Sequence, residues 1–341
     1  MNHYPSNVKE KLNSIILSMA EHHWLFSKNP GHDFTRQHLG KLSFYDTMRL
    51  IISMGKGSTN DEIMDYFDLD PDLIPSQSAF CQRRRQISLS AFEYLFSEFS
   101  SSFPSTTDKF KDHCILACDG CHVVYATNSD IIEDYNKPRL IDYKGYNHMH
   151  LNGFVDVISK AFLDVVIQPG QQPDEREALH SMLDHFTPDD PQKYIITADR
   201  GYESYDLLFH CEFKNLGYVF RVKSPSSPKS ILSYYASELP DDLEEFDVTI
   251  KRFFTDKATN IMKSQSDVYR YINPSKNTPH FYELLRKNHS HLYFLQFRVV
   301  KIKTAENTYE YLITNLPFSF TLDDIQECYH WRLSLIHISE P

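Results

Sequence analysis

Over its first hundred residues the chain spaces apolar side chains by three and four, the interval that lines one face of a helix. Leu42, Tyr45, Met48, Leu50, Ile51 and Ile52 fall close to such a stripe. Ser58-Thr59-Asn60 offers side-chain caps for a helix over Asp61–Phe67, with Glu62 placed to help close its first turn. A turn at Asp70-Pro71-Asp72 follows, and Ser76 or Ser78 then caps a helix carrying Phe80, Arg83, Arg84, Arg85 and Ile87. A last amphipathic helix sets Phe92, Leu95, Phe96 and Phe99 on its apolar side. No strand-like alternation occurs before about Ser105, so residues 1–105 are expected to form a helical domain.

From about His113 the period changes. His113–Ala117 is an apolar run leading into Asp119, and His150–Ile158 and Phe162–Ile167 flank the short turn Ser159-Lys160-Ala161, which predicts a hairpin. Asp174–Phe186 reads as a helix whose acidic first turn suits the positive end of its dipole, stopped by Pro188 and Pro191. Lys193–Thr197 returns to strand with Asp199 just past its end; Glu203–Leu216 is helical, and Tyr218–Val222 is strand after Gly217. Three antiparallel strands followed by alternating helix and strand is the order of a ribonuclease H-like α/β domain with a mixed sheet, expected over 106–223. That order sets Asp119 and Asp199 at the ends of two strands of one sheet. Phe246–Phe254, Tyr269–Tyr271, Leu292–Lys303 and Tyr309–Asn315 are strand-like, so 224–318 is expected to be a mostly β insertion.

Composition narrows this picture. A chain of 341 residues holds two or three modules, and 41% hydrophobic against 24% charged residues is the balance of a folded chain rather than a disordered one. Ile15-Ile16-Leu17-Ser18-Met19-Ala20 is too short for a signal peptide, and no apolar run reaches the ~20 residues of a membrane span, so a cytoplasmic location is expected. The six cysteines are irregularly spaced and read as reduced thiols. A net charge of -11 counts against nucleic acid as a partner, since Lys and Arg on phosphate supply most non-specific affinity. The charge is uneven, however: acidic residues gather at Asp61–Asp72, Asp184–Asp190 and Glu238–Asp247, leaving Arg83-Arg84-Arg85 and the pair Arg221 and Lys223 as basic clusters.

Several familiar sites find no support. Gly55-Lys56-Gly57-Ser58 lacks the spacing of a phosphate-binding loop. Cys118-x2-Cys121 with Cys114 and His122 is half of a zinc set with no second cysteine pair. His113, His148, His150 and His180 surround the expected sheet and are read as structural or exposed. What remains is Asp119 and Asp199, which could share a metal. Two Mg²⁺ or Mn²⁺ ions about 3.5–4 Å apart on such carboxylates activate a nucleophile and offset the leaving oxygen's charge in phosphoryl transfer.

Cys118-Asp119-Gly120, Ala198-Asp199-Arg200-Gly201-Tyr202, Leu312-Ile313-Thr314-Asn315-Leu316 and Tyr329-His330-Trp331-Arg332 resemble the insertion sequence four family of bacterial DDE transposases, over about Leu39 to Leu333. The resemblance implies that Asp119 and Asp199 are catalytic metal ligands for two Mg²⁺ (or Mn²⁺) ions. It also implies that Tyr329 and Arg332, the first two positions of a Tyr-x2-Arg-x3-Glu-x6-Lys signature, contact DNA phosphate. Arg200, Arg83, Arg84 and Arg85 are further expected DNA contacts, the last three within 1–105 as a helical DNA-binding domain, and 319–333 is expected to begin the C-terminal catalytic helix.

The signature's Glu should stand at 336, where this chain has Ile336; Glu340 sits too far along, beside Pro341, to replace it. Ser-Leu-Ile-His-Ile-Ser-Glu-Pro, 334–341, resembles a translated sequencing adapter and is expected to be non-native, leaving the chain truncated. The implied function is cut-and-paste transposition in a bacterial cytoplasm. It would act on double-stranded terminal inverted repeats and target DNA, as a homodimer in the synaptic complex, with this copy defective. The alternatives are a non-catalytic DNA-binding remnant and a ribonuclease H-like nuclease of another substrate class.

Overall fold

The computed structural model describes residues 4–35, 41–102, 109–137, 145–257, 259–273, 278–306 and 308–333. They fall into two compact units, Met1–Pro104 and Ser105–Pro341.

The first unit comprises helices α1 (Tyr4–Glu21), α2 (Phe44–Ser53), α3 (Thr59–Tyr66), α4 (Gln77–Gln86) and α5 (Leu89–Ser101). Serines start three of them: Ser43, Ser58 and Ser76 accept from the backbone N–H groups of Asp46, Asp61 and Ala79. Each satisfies an N–H that the helix itself leaves unpaired. Ile16, Met19, Phe44, Met48, Ala91 and Leu95 bury together, and Leu42, Leu50, Ile63 and Phe80 form a second cluster. Arg83 belongs to this packing. It is 8% exposed, donates to Gln86 Oε1 at 3.0 Å and lies over the Phe34 ring, so Arg84 and Arg85 alone of the basic run present exposed guanidinium groups. The helical period accounts for the split, because α4 turns the position in line with buried Phe80 inward and its two successors outward.

In the second unit β1 (Cys114–Tyr125), β2 (Tyr135–Asn136), β3 (Tyr146–Asp156) and β4 (Ala161–Pro169) precede α6 (Glu175–His185). Then come β5 (Tyr194–Ala198), α7 (Tyr205–Phe213) and β6 (Gly217–Val222). The remainder supplies β7 (Phe246–Thr255), α8 (Asn260–Ser264), β8 (Tyr269–Tyr271), α9 (Pro279–Lys287), β9 (Leu292–Ala305), β10 (Thr308–Thr314) and α10 (Leu322–Leu333). The described strands form one mixed sheet in the order β2-β3-β1-β5-β6-β10-β9-β7-β8, with β4 also on β3. Segment 224–318 therefore widens the same sheet: β10 pairs with β6, and β9 and β7 follow outward.

The alternation of side chains along the strands gives the sheet two apolar faces. Phe154, Ile196, Phe220 and Phe297 pack with α6, α7 and α9 through Leu179, Met182, Leu207, Leu208 and Phe281. Ile115, Ala117, Ile195, Val219 and Val300 pack with Ile325, Cys328 and Tyr329 of α10. Among the described residues no helix is long and apolar enough to cross a membrane.

One expectation fails here. Asp119 does not end its strand; it is the sixth residue of a twelve-residue β1 and pairs with Gly153. Burial stops at Cys118, but the backbone ladder to β3 continues to Tyr125 opposite Asn147, so a strand end judged from the apolar run came too early.

Candidate active site

β1 and β5 run parallel with Cys114 beside Tyr194 and Ala117 beside Thr197, a constant offset of 80 residues. Two steps further that register brings Asp119 alongside Asp199. Here the strands part: β5 ends at Ala198, while β1 goes on with β3. The split opens a notch at the carboxyl end of the parallel pair, the place where open α/β sheets commonly bind ligands. Asp199 opens a 3-10 turn, Arg200–Tyr202, its Oδ1 accepting from the Arg200 backbone N–H at 2.6 Å. Arg200 itself is exposed.

α10 delivers the cationic side of the notch. Thr321 and Asp324 cap its start, the Thr321 hydroxyl accepting from the Asp324 backbone N–H at 3.3 Å. Ile325, Cys328, Tyr329 and Arg332 follow at intervals of three, one and three, a single helical stripe. Three anchor that stripe in the core, and the fourth reaches the aspartates. Arg332 Nη1 is 3.7 Å from Asp119 Oδ1 and Nη2 is 3.8 Å from Asp199 Oδ2. The guanidinium also donates to the Tyr329 hydroxyl at 3.3 Å, which in turn donates to Asp199 Oδ1 at 3.4 Å. Both side chains are almost wholly buried, whereas the Asp119 and Asp199 side chains keep 36% and 35% of their surface. Arg221 approaches Asp199 Oδ1 to 3.6 Å, with its other nitrogen 3.1 Å from Glu310.

Burial raises the Asp119 carboxyl above its usual range, and Asp199 adds repulsion; Arg332 and the backbone N–H of Gly120 oppose this without cancelling it. Two partly exposed carboxylates of like charge, one disfavoured as an anion, match the needs of a hard divalent cation, which prefers oxygen ligands and would relieve both costs. Asp119 and Asp199 are the residues that would hold it.

Glu175 and His150 also belong to the neighbourhood, and sequence reasoning missed both roles. Glu175, at the first turn of α6, has its carboxyl raised by burial first and then by Asp119 and Asp199. Its Oε1 is 3.4 Å from His150 Nε2. The acidic opening of that helix was visible in the sequence, but nothing in its spacing tied it to Asp119, 56 positions earlier.

A second cluster lies apart from the notch. His180, His210 and His280 bring ligand atoms within 4.8 Å of one another, the one such trio of potential metal ligands among the described residues. Their rings stack nearly parallel, with interplanar angles of 9 to 17°. In-plane lone pairs on parallel rings do not converge on one ion, so the arrangement is a packed stack fastened by Asp206, which accepts from the His280 ring at 2.7 Å. Cys118 and Cys121, three apart on β1, point to opposite faces.

A family model described as a transposase DDE domain matches residues 110–332, well over half of the chain. Among solved structures, the cryo-EM structure of the piggyBac transposase synaptic complex with hairpin DNA is similar at 11% identity and a TM-score of 0.42. That match covers 86% of this chain and 56% of the piggyBac chain. No curated protein sequence matches the chain.

Proposed function

The chain belongs to the transposase DDE-domain family, and on that premise we propose that it is a DNA transposase of the insertion sequence four group, with Asp119 and Asp199 as its metal-binding carboxylates. The observation that carries this reading is the register: two aspartates 80 residues apart meet side by side where parallel strands separate, with Arg332 across both. The substrate is double-stranded DNA carrying the element's terminal inverted repeats, bound by a bacterial homodimer.

Two Mg²⁺ or Mn²⁺ ions on such carboxylates would supply a deprotonated nucleophile and offset the charge on the leaving oxygen. The protein's own groups do the rest. Tyr329 and Arg332 are almost wholly buried, so the expected phosphate contacts are not offered from the surface; the Arg332 guanidinium instead faces the two aspartates, where it would offset their charge and that of a phosphate brought onto them. Arg221 lies beside Asp199, Arg200 is exposed in the turn that follows it, and Arg84 and Arg85 offer exposed positive charge in the helical unit.

Ile336 occupies the signature's glutamate position, and 334–341 lie outside the described residues. That substitution favours the second reading, a DNA-binding remnant with weak or absent catalysis. The test uses the full chain and DNA ending in the inverted repeats that flank its gene. Repeat-specific binding is expected, with at most weak Mg²⁺-dependent 3′-end cleavage that Asp119→Asn and Asp199→Asn each abolish. Cleavage indifferent to both substitutions would sink the assignment of the pair, and robust cleavage by the unaltered chain would sink the remnant.

A further inference from the structure

Two carboxylates leave a divalent cation short of protein oxygens, since hard cations take six or more ligands. A third acidic side chain, Glu175, stands near the pair, although its carboxylate and those of Asp119 and Asp199 do not all lie within 4.8 Å of one another and would have to draw together on an ion. Glu175 comes from α6, on the face of the sheet opposite α10, and the glycines beside the two aspartates leave room for it and for His150. A Cβ on Gly201, two residues beyond Asp199, would stand 3.0 Å from Glu175 Oε2. A Cβ on Gly120, next to Asp119, would stand 2.4 Å from His150 Nε2, the atom that faces Glu175 Oε1 at 3.4 Å. The Glu175 carboxylate thus lies over Gly201 and against His150, which in turn lies over Gly120.

The His150 side chain is an independent sign that this side of the notch is built for something. It is 4% exposed, and neither ring nitrogen makes a well-directed hydrogen bond, Nε2 having Glu175 Oε1 at 3.4 Å. Buried polar atoms left unpaired are uncommon, and carboxylates that hold metals are characteristically backed by such a group. Among the described residues no Lys or Arg forms an ion pair with Glu175, whereas Asp119 and Asp199 have Arg332. The negative charge on the α6 side therefore lacks a fixed counter-charge.

We propose that Glu175 is a third carboxylate ligand of the cation site, closing from α6 the pocket that Asp119 and Asp199 open. The proposal rests on reading those two aspartates as the metal pair. It adds a third acidic ligand from between residues 119 and 199, apart from the signature position at 336.

The experiment is a Mn²⁺ titration of the full chain followed by electron paramagnetic resonance, without DNA, on the unaltered protein and on Glu175→Gln, Glu177→Gln, Asp119→Asn and Asp199→Asn. Glu177 is an exposed carboxylate in the same helical turn and reports the general effect of a lost charge there. The expected result is a loss of Mn²⁺ affinity of ~10-fold or more for Glu175→Gln and both aspartate variants, with Glu177→Gln within twofold of the unaltered chain. If the aspartate variants lose affinity and Glu175→Gln does not, Glu175 is no ligand and the pair stands without it. Equal losses for Glu175→Gln and Glu177→Gln overturn the proposal in favour of a diffuse field. No Mn²⁺ binding by the unaltered chain overturns the metal pair and the proposal together.

Discussion

Gly120 and Gly201 owe their places to room rather than to backbone freedom, since no described glycine has a positive φ. Each follows a site aspartate within two residues, and each leaves space that a neighbouring polar side chain fills, His150 in one case and Glu175 in the other. Gly120→Ala is accordingly expected to force the buried His150 ring aside and destabilise the fold by about 1–3 kcal/mol, the usual range for overpacking. A shift in the urea midpoint measures it, and an unchanged midpoint would show that the ring yields freely. At this scale the sequence was legible where motifs named residues: Asp119, Asp199, Tyr329 and Arg332 converge in space. It was illegible for Glu175 and His150, because strand register and side-chain direction, which no spacing along the chain records, bring them in. Arg83 shows the opposite error, for a basic run looks the same whether its first member is solvated or packed on Phe34.

Among the elements, α6, α7 and α9 are joined by the histidine stack. Asp206, 1% exposed, accepts from the backbone N–H of His280 at 3.1 Å and of Phe281 at 3.3 Å, capping α9 from α7. Burial lowers the His180 pKa from 6.5 to about 4 and that of His210 to about 2, with the neighbouring His280 adding to both shifts. Folded pKa values below the unfolded one mean that the unfolded chain binds more protons in the window between them. The stability these residues contribute is therefore complete above pH 6.5 and is lost as the pH falls from 6.5 toward 4, by up to about 1.4 kcal/mol per pH unit for each histidine. Urea unfolding at a series of pH values should show this slope, and His210→Gln should flatten it; an unaltered slope would mean that the stack does not govern it. Caps and helix stops made most of these elements readable, since serine side chains and glycine act locally. The length of β1 was not, because hydrogen bonds to β3 sustain a strand whose outer half is solvated.

For the whole molecule, the sheet explains how chemistry from distant segments reaches one notch. β1 and the turn after β5 supply the aspartates, α10 the arginine from one face and α6 the glutamate from the other. The order of the longer strands and helices over 113–223 was readable because the β3–β4 turn is short and the helix caps act locally, whereas the two-residue β2 left no signal. That β9 and β10 continue outward from β6 was not readable either, since edge pairing leaves no local signature. The net charge of -11 is compatible with DNA as partner because the acidic clusters and the basic rim occupy different segments.

The account turns on Asp119 and Asp199 sharing a divalent cation, and the most direct test is anomalous diffraction from crystals of the full chain soaked in Mn²⁺. A manganese peak bound by oxygens of both aspartates is the predicted result. A peak held elsewhere, or aspartates that remain bridged only by Arg332 at saturating Mn²⁺, would contradict it.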